Sequence, residues 1–245
     1  MSGIASSPSS SRAGFWRRAV AFIIDACLIG LLISAIGVIC FRLTDGRMRL
    51  SSGLFDITLC SKADPQNIGL PIPPHFNVTA AEDCTNRFLG LQHDRVATIT
   101  EITGSGSVIY KRSISYPLDL NGRPAEPLYL DFLWLILLPA YILLAEWRYA
   151  RTVGKRLMDV RIRSLNAAPI DFVQALKRLV IRFLPWPFWA LAYVAPVSEN
   201  MTLFVSVTAL LAITGLPVVL NFILATRRRV LPWDDAWAAT EVVRT

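Results

Sequence analysis

Arg17-Arg18-Ala19-Val20-Ala21-Phe22-Ile23-Ile24-Asp25-Ala26-Cys27-Leu28 opens an apolar run that continues to Phe41, and Asp25 is the one charge inside it. A helix needs roughly 20 apolar residues to cross a bilayer, so the run qualifies as a span. A carboxylate near the middle of a span costs about 2.5–3.5 kcal/mol on insertion scales and needs polar neighbours. Arg18 and Asp25 are close to two helical turns apart and project from one face. About 10 Å of axial rise separates them, too far for a direct pair, which leaves Arg18 at headgroup level. Asp25 is therefore expected to meet groups from other segments. It is either an intramembrane polar site or a structural carboxylate bonded to a neighbouring helix.

Composition supports a membrane setting. The chain has 245 residues, of which 53% are hydrophobic and 18% charged, with a mean hydropathy of +0.46. That balance is more apolar than a soluble domain carries. The net charge is +7, but the basic residues lie beside the apolar segments, as juxtamembrane charges do. Aromatics do not interleave with Lys and Arg on a polar face, which argues against a nucleic-acid partner. The first apolar run is long for a secretory leader and contains Asp25, so it reads as a retained anchor. Residues 1–14, rich in Ser, have too little apolar surface to fold and are expected to form a disordered cytoplasmic tail.

Working outward, residues 15–43 form the first expected transmembrane helix. Ala26, Gly30 and Ser34 recur every four residues with Gly37 beyond, a small-residue stripe that lets another helix approach. Residues 44–127 change character and read as an extracytoplasmic β-rich insert. Pro71-Ile72-Pro73-Pro74 must be extended. Residues 95–102 alternate in the strand manner, Gly104-Ser105-Gly106 supplies a turn, and Asn121-Gly122 is a hairpin-turn signal. In an oxidising compartment a Cys60–Cys84 disulfide would support this modest core. His75 and His93 read as solvated loop side chains, and the Cys and His spacings form no metal pattern.

Further spans are expected at about 129–147, 184–197 and 201–225, the last bent at Gly215-Leu216-Pro217. Between the second and third lies loop 148–182, with nine Lys and Arg against two Asp. Within it Phe172, Val173, Leu176, Leu179, Val180 and Phe183 recur at helical spacing, as in an amphipathic helix on a membrane surface. The expected fold class is mainly α and integral membrane: a four-span helical bundle with a small antiparallel β insert between spans 1 and 2. Both termini, loop 148–182 and tail 226–245 then face the cytoplasm by the positive-inside rule. A three-span alternative would put the C-terminal arginines outside. The partners implied are the lipid bilayer, with anionic lipid at loop 148–182, and a homo-oligomer or membrane protein partner.

Three separated stretches resemble the RDD family of bacterial membrane proteins, named for one Arg and two Asp. They are Phe15-Trp16-Arg17-Arg18-Ala19 through Ile24-Asp25, Val153-Gly154-Lys155-Arg156-Leu157-Met158-Asp159-Val160-Arg161-Ile162, and Asp235-Ala236-Trp237-Ala238-Ala239-Thr240-Glu241-Val242-Val243. The resemblance identifies Arg18, Asp25 and Asp235 as the family positions, with Asp234 the alternative to Asp235. This chain has Ala236 and Ala239 where the family commonly carries Arg and Gly. The resemblance implies a multi-pass protein of the bacterial cytoplasmic (inner) membrane, with transport and sodium–proton exchange among the suggested roles.

Depth along the helices groups Asp25, Asn221, Arg182 and Glu146 as a polar cluster opening to the cytoplasm. The expected function is transport of a small solute, or cation/proton exchange, through a polar site around Asp25. The alternative is a non-transporting scaffold or sensor whose β insert binds a partner. No Gly-rich phosphate loop and no nucleophile with a His partner is present. No enzyme activity, catalytic residue, cofactor or metal is therefore expected.

Overall fold

The computed structural model describes residues 12–51, 53–64, 69–105, 108–166, 168–188, 191, 201–228 and 230–244. Helix α1 covers Phe15–Leu43, an unbroken apolar run without Pro. It stops at Thr44, whose hydroxyl donates to the Cys40 carbonyl (2.7 Å) and accepts from the Met48 N–H (2.9 Å). The chain divides into two compact units, one of residues 1–28 with 135–245 and one of residues 29–134.

The four-span bundle is not what this chain forms. Among the described residues α1 alone is long and apolar enough to cross a membrane, and a four-stranded antiparallel sheet occupies much of residues 56–117. Helix α2, Leu133–Tyr149, has 17 residues. At 1.5 Å per residue it rises about 26 Å, short of the ~30 Å of a hydrocarbon core. Its last turn carries Glu146, which is buried. The expected span at 184–197 lies for the most part outside the described residues. Within α5, Met201–Arg228, the described apolar stretch Val205–Asn221 falls short of a span. Hydropathy reports burial in any apolar surroundings, and a core helix satisfies it as well as a lipid-crossing one.

The first unit also folds where loops were expected. Helix α3 (Val153–Leu157) leads into β7 (Val160–Ser164), and helix α6 (Trp233–Trp237) leads into β8 (Thr240–Arg244). The two strands pair antiparallel, with Ile162 opposite Val242. Alternation in Val160-Arg161-Ile162-Arg163 buries Val160 and Ile162 with Ala13, Ile170, Ala175 and Val242. Helix α4 (Phe172–Arg182) begins at an Asp171–Gln174 capping box. Its apolar residues Phe172, Val173, Leu176 and Val180 are exposed, while Arg178 is wholly buried. The helix is amphipathic as expected from the sequence, with its polar stripe inward.

The second unit carries a four-stranded antiparallel sheet in the order β2-β3-β4-β5: Asp56–Lys62, Ala80–Phe88, Leu91–Ser105 and Val108–Pro117. Ala81, Ala97 and Ile99 form its core with Leu118 and with Leu70 and Phe76 of the Pro-rich segment. A short parallel pair, β1 (Met48–Arg49) with β6 (Leu128–Tyr129), ties the segment's start to its end. Asn121-Gly122 does turn the chain, with Gly122 at φ +80, but it closes a lone Leu118–Pro124 bridge and not a hairpin ladder. His93 is fully buried in β4 against Asp56 (3.0 Å), which corrects the solvated reading of that residue. The small stripe on α1 also has a use. A Cβ on Gly37 would lie 2.2 Å from the Leu50 side chain, so the glycine admits Leu50 against the helix.

A buried charged core as the candidate functional site

Asp25 lies on α1 and is 2% exposed. Its Oδ1 accepts from the Tyr141 hydroxyl (2.9 Å) and from the Gly154 N–H (2.8 Å), and its Oδ2 accepts from the Thr152 hydroxyl (2.5 Å). Thr152 is the N-cap of α3 and accepts in turn from the Lys155 N–H (3.3 Å). The Tyr141 hydroxyl accepts from the Val153 N–H (2.9 Å). One carboxylate thus ties α1 and α2 to the start of α3. Gly154 is required there, because a Cβ would sit 2.0 Å from the Ala21 carbonyl oxygen. Only a residue without a side chain brings that N–H within reach of Asp25.

One helical turn on, Lys155 Nζ donates to Glu146. Arg178 lies at the centre of the charged network. Its Nε donates to Glu146 Oε2 (3.1 Å), and its Nη1 donates to Asp235 and to the Thr240 hydroxyl (2.7 Å). Its Nη2 lies 4.0 Å from Asp234 and makes no hydrogen bond. Arg182 bridges Glu146 and Asp234, at 3.0 Å each. Arg18 closes the far side, donating to Asp235 Oδ2 (2.8 Å) and to the Ala13 and Val242 carbonyls. Arg18, Lys155, Arg178 and Arg182 therefore face Glu146, Asp234 and Asp235. Asp25 joins as a fourth carboxylate through Thr152. The charges balance, which is the condition for holding ions out of water.

Burial shifts these groups in the expected senses. Desolvation lowers the Lys155 ammonium to about 8, with Glu146 opposing that loss. Burial alone would raise Asp234, but Arg182 and then Arg178 hold its carboxyl below the usual range. Glu146, Asp234 and Asp235 are each engaged by Arg or Lys, while Asp25 is held by Tyr141, Thr152 and the Gly154 N–H.

The structure redistributes the residues expected to cluster. Glu146 and Arg182 do meet, but Asp25 bonds to neither, and Asn221 accepts instead from the Trp233 N–H (2.8 Å). Arg18 is drawn into the network and does not remain a headgroup contact. Cys60 and Cys84 face each other across β2 and β3 and are joined as a disulfide. Sequence alone assigns no site role to Tyr141, Thr152, Lys155, Arg178 or Thr240, although Lys155 and Thr240 lie within the family-like stretches. A signal existed for Arg178: Gln174, Arg178 and Arg182 recur every four residues, a polar stripe along one face of α4.

Arg18, Gly154 with Lys155, and Asp235 with Thr240 come from three stretches of sequence and converge in one network. No curated protein and no solved structure matches the chain significantly. A profile described as the RDD family matches residues 85–238, which takes in Glu146, Lys155, Arg178, Arg182, Asp234 and Asp235 and stops short of Arg18 and Asp25. That match spans more than half of the sequence, and the chain belongs to the RDD family.

Proposed function

We propose that this RDD protein is a non-enzymatic, membrane-anchored scaffold or sensor of the bacterial inner membrane. In this reading α1 is the anchor, the charged core holds the first unit together, and the β sheet binds a partner outside. The observation that carries the reading is the closure of the motif charges. Asp25 takes three hydrogen bonds from groups fixed by packing, and each network carboxylate is paired. A carrier needs a charge that can exchange its partner for a solute. The Cys60–Cys84 disulfide supports an oxidising, extracytoplasmic location for the sheet. The outward Phe172, Val173, Leu176 and Val180 of α4, with basic Lys177 on the same helix, support apposition to an anionic bilayer surface. Strand β2 is an exposed edge carrying Ile57 and Leu59, the kind of surface another chain pairs with.

One observation favours cation/proton exchange as a second reading: Lys155 is buried, and desolvation pushes its ammonium down to about 8. Reconstitution separates the two. The full chain and its Asp25→Asn and Lys155→Met variants are placed in proteoliposomes, and sodium and proton fluxes are compared with empty liposomes. The scaffold reading predicts no flux above background. Flux in the parent protein that is lost in a folded Lys155→Met variant would overturn it. Deleting residues 44–126 in cells provides the positive arm, because a scaffold loses its co-purifying membrane partner.

A further inference from the structure

Cys60, Glu82 and Cys84 share one face of the β2–β3 pair. Cys60 lies directly opposite Cys84 in the ladder, and Glu82 precedes Cys84 by two residues, which returns it to the same face. One ligand atom from each, the two sulfurs and a Glu82 carboxylate oxygen, lie within 4.8 Å of one another. β2 is the edge strand of its sheet, and Cys60 and Glu82 are exposed. No hydrogen bond or ion pair engages the Glu82 carboxylate among the described residues, although Lys62 is its neighbour across the ladder. Free Cys27 and Cys40 lie on α1 and take no part.

We propose that reduction of the Cys60–Cys84 disulfide creates a binding site for a thiophilic divalent cation of the zinc class, with Cys60, Cys84 and Glu82 as ligands. The oxidised pair cannot bind, because each sulfur spends its valence on the other. Reduction by a dithiol balances simply. The reductant gives two electrons and two protons, the S–S bond breaks, two thiols form, and the reductant leaves as its own disulfide. Binding then releases the two thiol protons and leaves two thiolates on the metal.

The geometry suits this change. Zinc–sulfur bonds of about 2.3 Å in a tetrahedron put the two sulfurs about 3.8 Å apart, a separation that opposed side chains reach once unbonded. The β2–β3 ladder holds both backbones in place through the change, and Glu82 supplies a third ligand. A water at the fourth position completes a coordination number of four. Two thiolates favour zinc or cadmium over magnesium or calcium, which prefer an all-oxygen shell. The site converts the redox state of the protein's surroundings into metal occupancy on an exposed sheet edge.

The test uses the full chain in detergent micelles with Cd2+ alone as the probe. The protein is either left oxidised or reduced with a dithiol that is then removed under argon. The reduced protein is expected to take up one Cd2+ per chain with a thiolate-to-metal charge-transfer band, and the oxidised protein none. A Cys60→Ser/Cys84→Ser double variant keeps Cys27 and Cys40 and is expected to show no band. Glu82→Gln, which leaves the ladder intact, is expected to weaken binding about tenfold or more with the band retained. Uptake by the reduced protein equal to that of the double variant would overturn the proposal, as would Glu82→Gln binding with unchanged affinity.

Discussion

Replacing Arg178 by Met removes the central charge of the network and keeps most of the side-chain volume. In the parent structure the guanidinium satisfies Glu146 Oε2 and Asp235 Oδ1 and stands 4.0 Å from Asp234. The substitution leaves Asp235 with Arg18 alone, and Glu146 with Lys155 and Arg182. Breaking a buried pair by removing one partner costs about 3–5 kcal/mol. The surviving partners place Arg178→Met at the lower end, about 3 kcal/mol, because no carboxylate is stripped of every cation. For a chain of this size that corresponds to about 6–12 °C in Tm. Thermal unfolding of the full chain in detergent, followed by tryptophan fluorescence, reads the shift. Arg178→Met paired with Glu146→Gln then gives their coupling. The double variant should lose less than the sum of the singles, since Glu146→Gln removes a charge that Arg178→Met has partly orphaned. A loss below about 1 kcal/mol for Arg178→Met would show that the network does not hold the first unit together.

Other consequences follow from single positions. Gly154→Ala sets a Cβ 2.0 Å from the Ala21 carbonyl oxygen and 3.0 Å from the Asp25 carboxyl carbon. Pushing the turn off α1 should cost about 3 kcal/mol or more through steric strain and the lost bond to Asp25, read as a lower Tm and faster proteolysis at residues 150–160. Ala239→Gly acts the other way. Ala239 sits at φ +51, where a Cβ is penalised, and the substitution should raise stability by about 0.5–1 kcal/mol after the entropy of glycine is counted. Lys155 sets a pH dependence: between about 8 and its ordinary 10.5 the unfolded chain binds the extra proton, so stability from this group rises with pH over that window. In Lys155→Met that slope should vanish in denaturant midpoints measured across the window. Asp234, held low, stabilises above its ordinary range and loses that contribution as pH falls through its depressed value.

What the sequence disclosed followed the range of the forces involved. Local signals were readable: the apolar run of α1, the amphipathic period of α4, and the alternation that became β4 and β5. The three family-like stretches were also legible: Asp25 and Asp235 are buried and bonded, and Arg18 is half-buried and bonded. Their partners were not, because pairing between residues 217 positions apart, as for Arg18 and Asp235, leaves no periodicity to read. Depth arithmetic put Asp25 beside Asn221 and Arg182 by assuming straight, parallel spans. The chain instead turns at Thr152, and that turn presents Gly154 to Asp25. Hydropathy misjudged α2 for a related reason, since it cannot see that Glu146 is neutralised by Lys155, Arg178 and Arg182. The Ala239 departure from the family pattern had a backbone meaning, a left-handed residue between α6 and β8, that no scale of residue preference registers.

The measurement that bears most directly on the convergence of the motif is a double-mutant cycle on Arg18→Met and Asp235→Asn, with Tm and denaturant midpoints taken on the full chain. A 2.8 Å ion pair with both side chains almost wholly buried predicts a coupling of about 1–3 kcal/mol, the double variant being more stable than additivity requires. Additive losses within about 0.5 kcal/mol would mean that the first helix and the C-terminal stretch do not share that network, and would contradict the convergence of the RDD positions in one buried core.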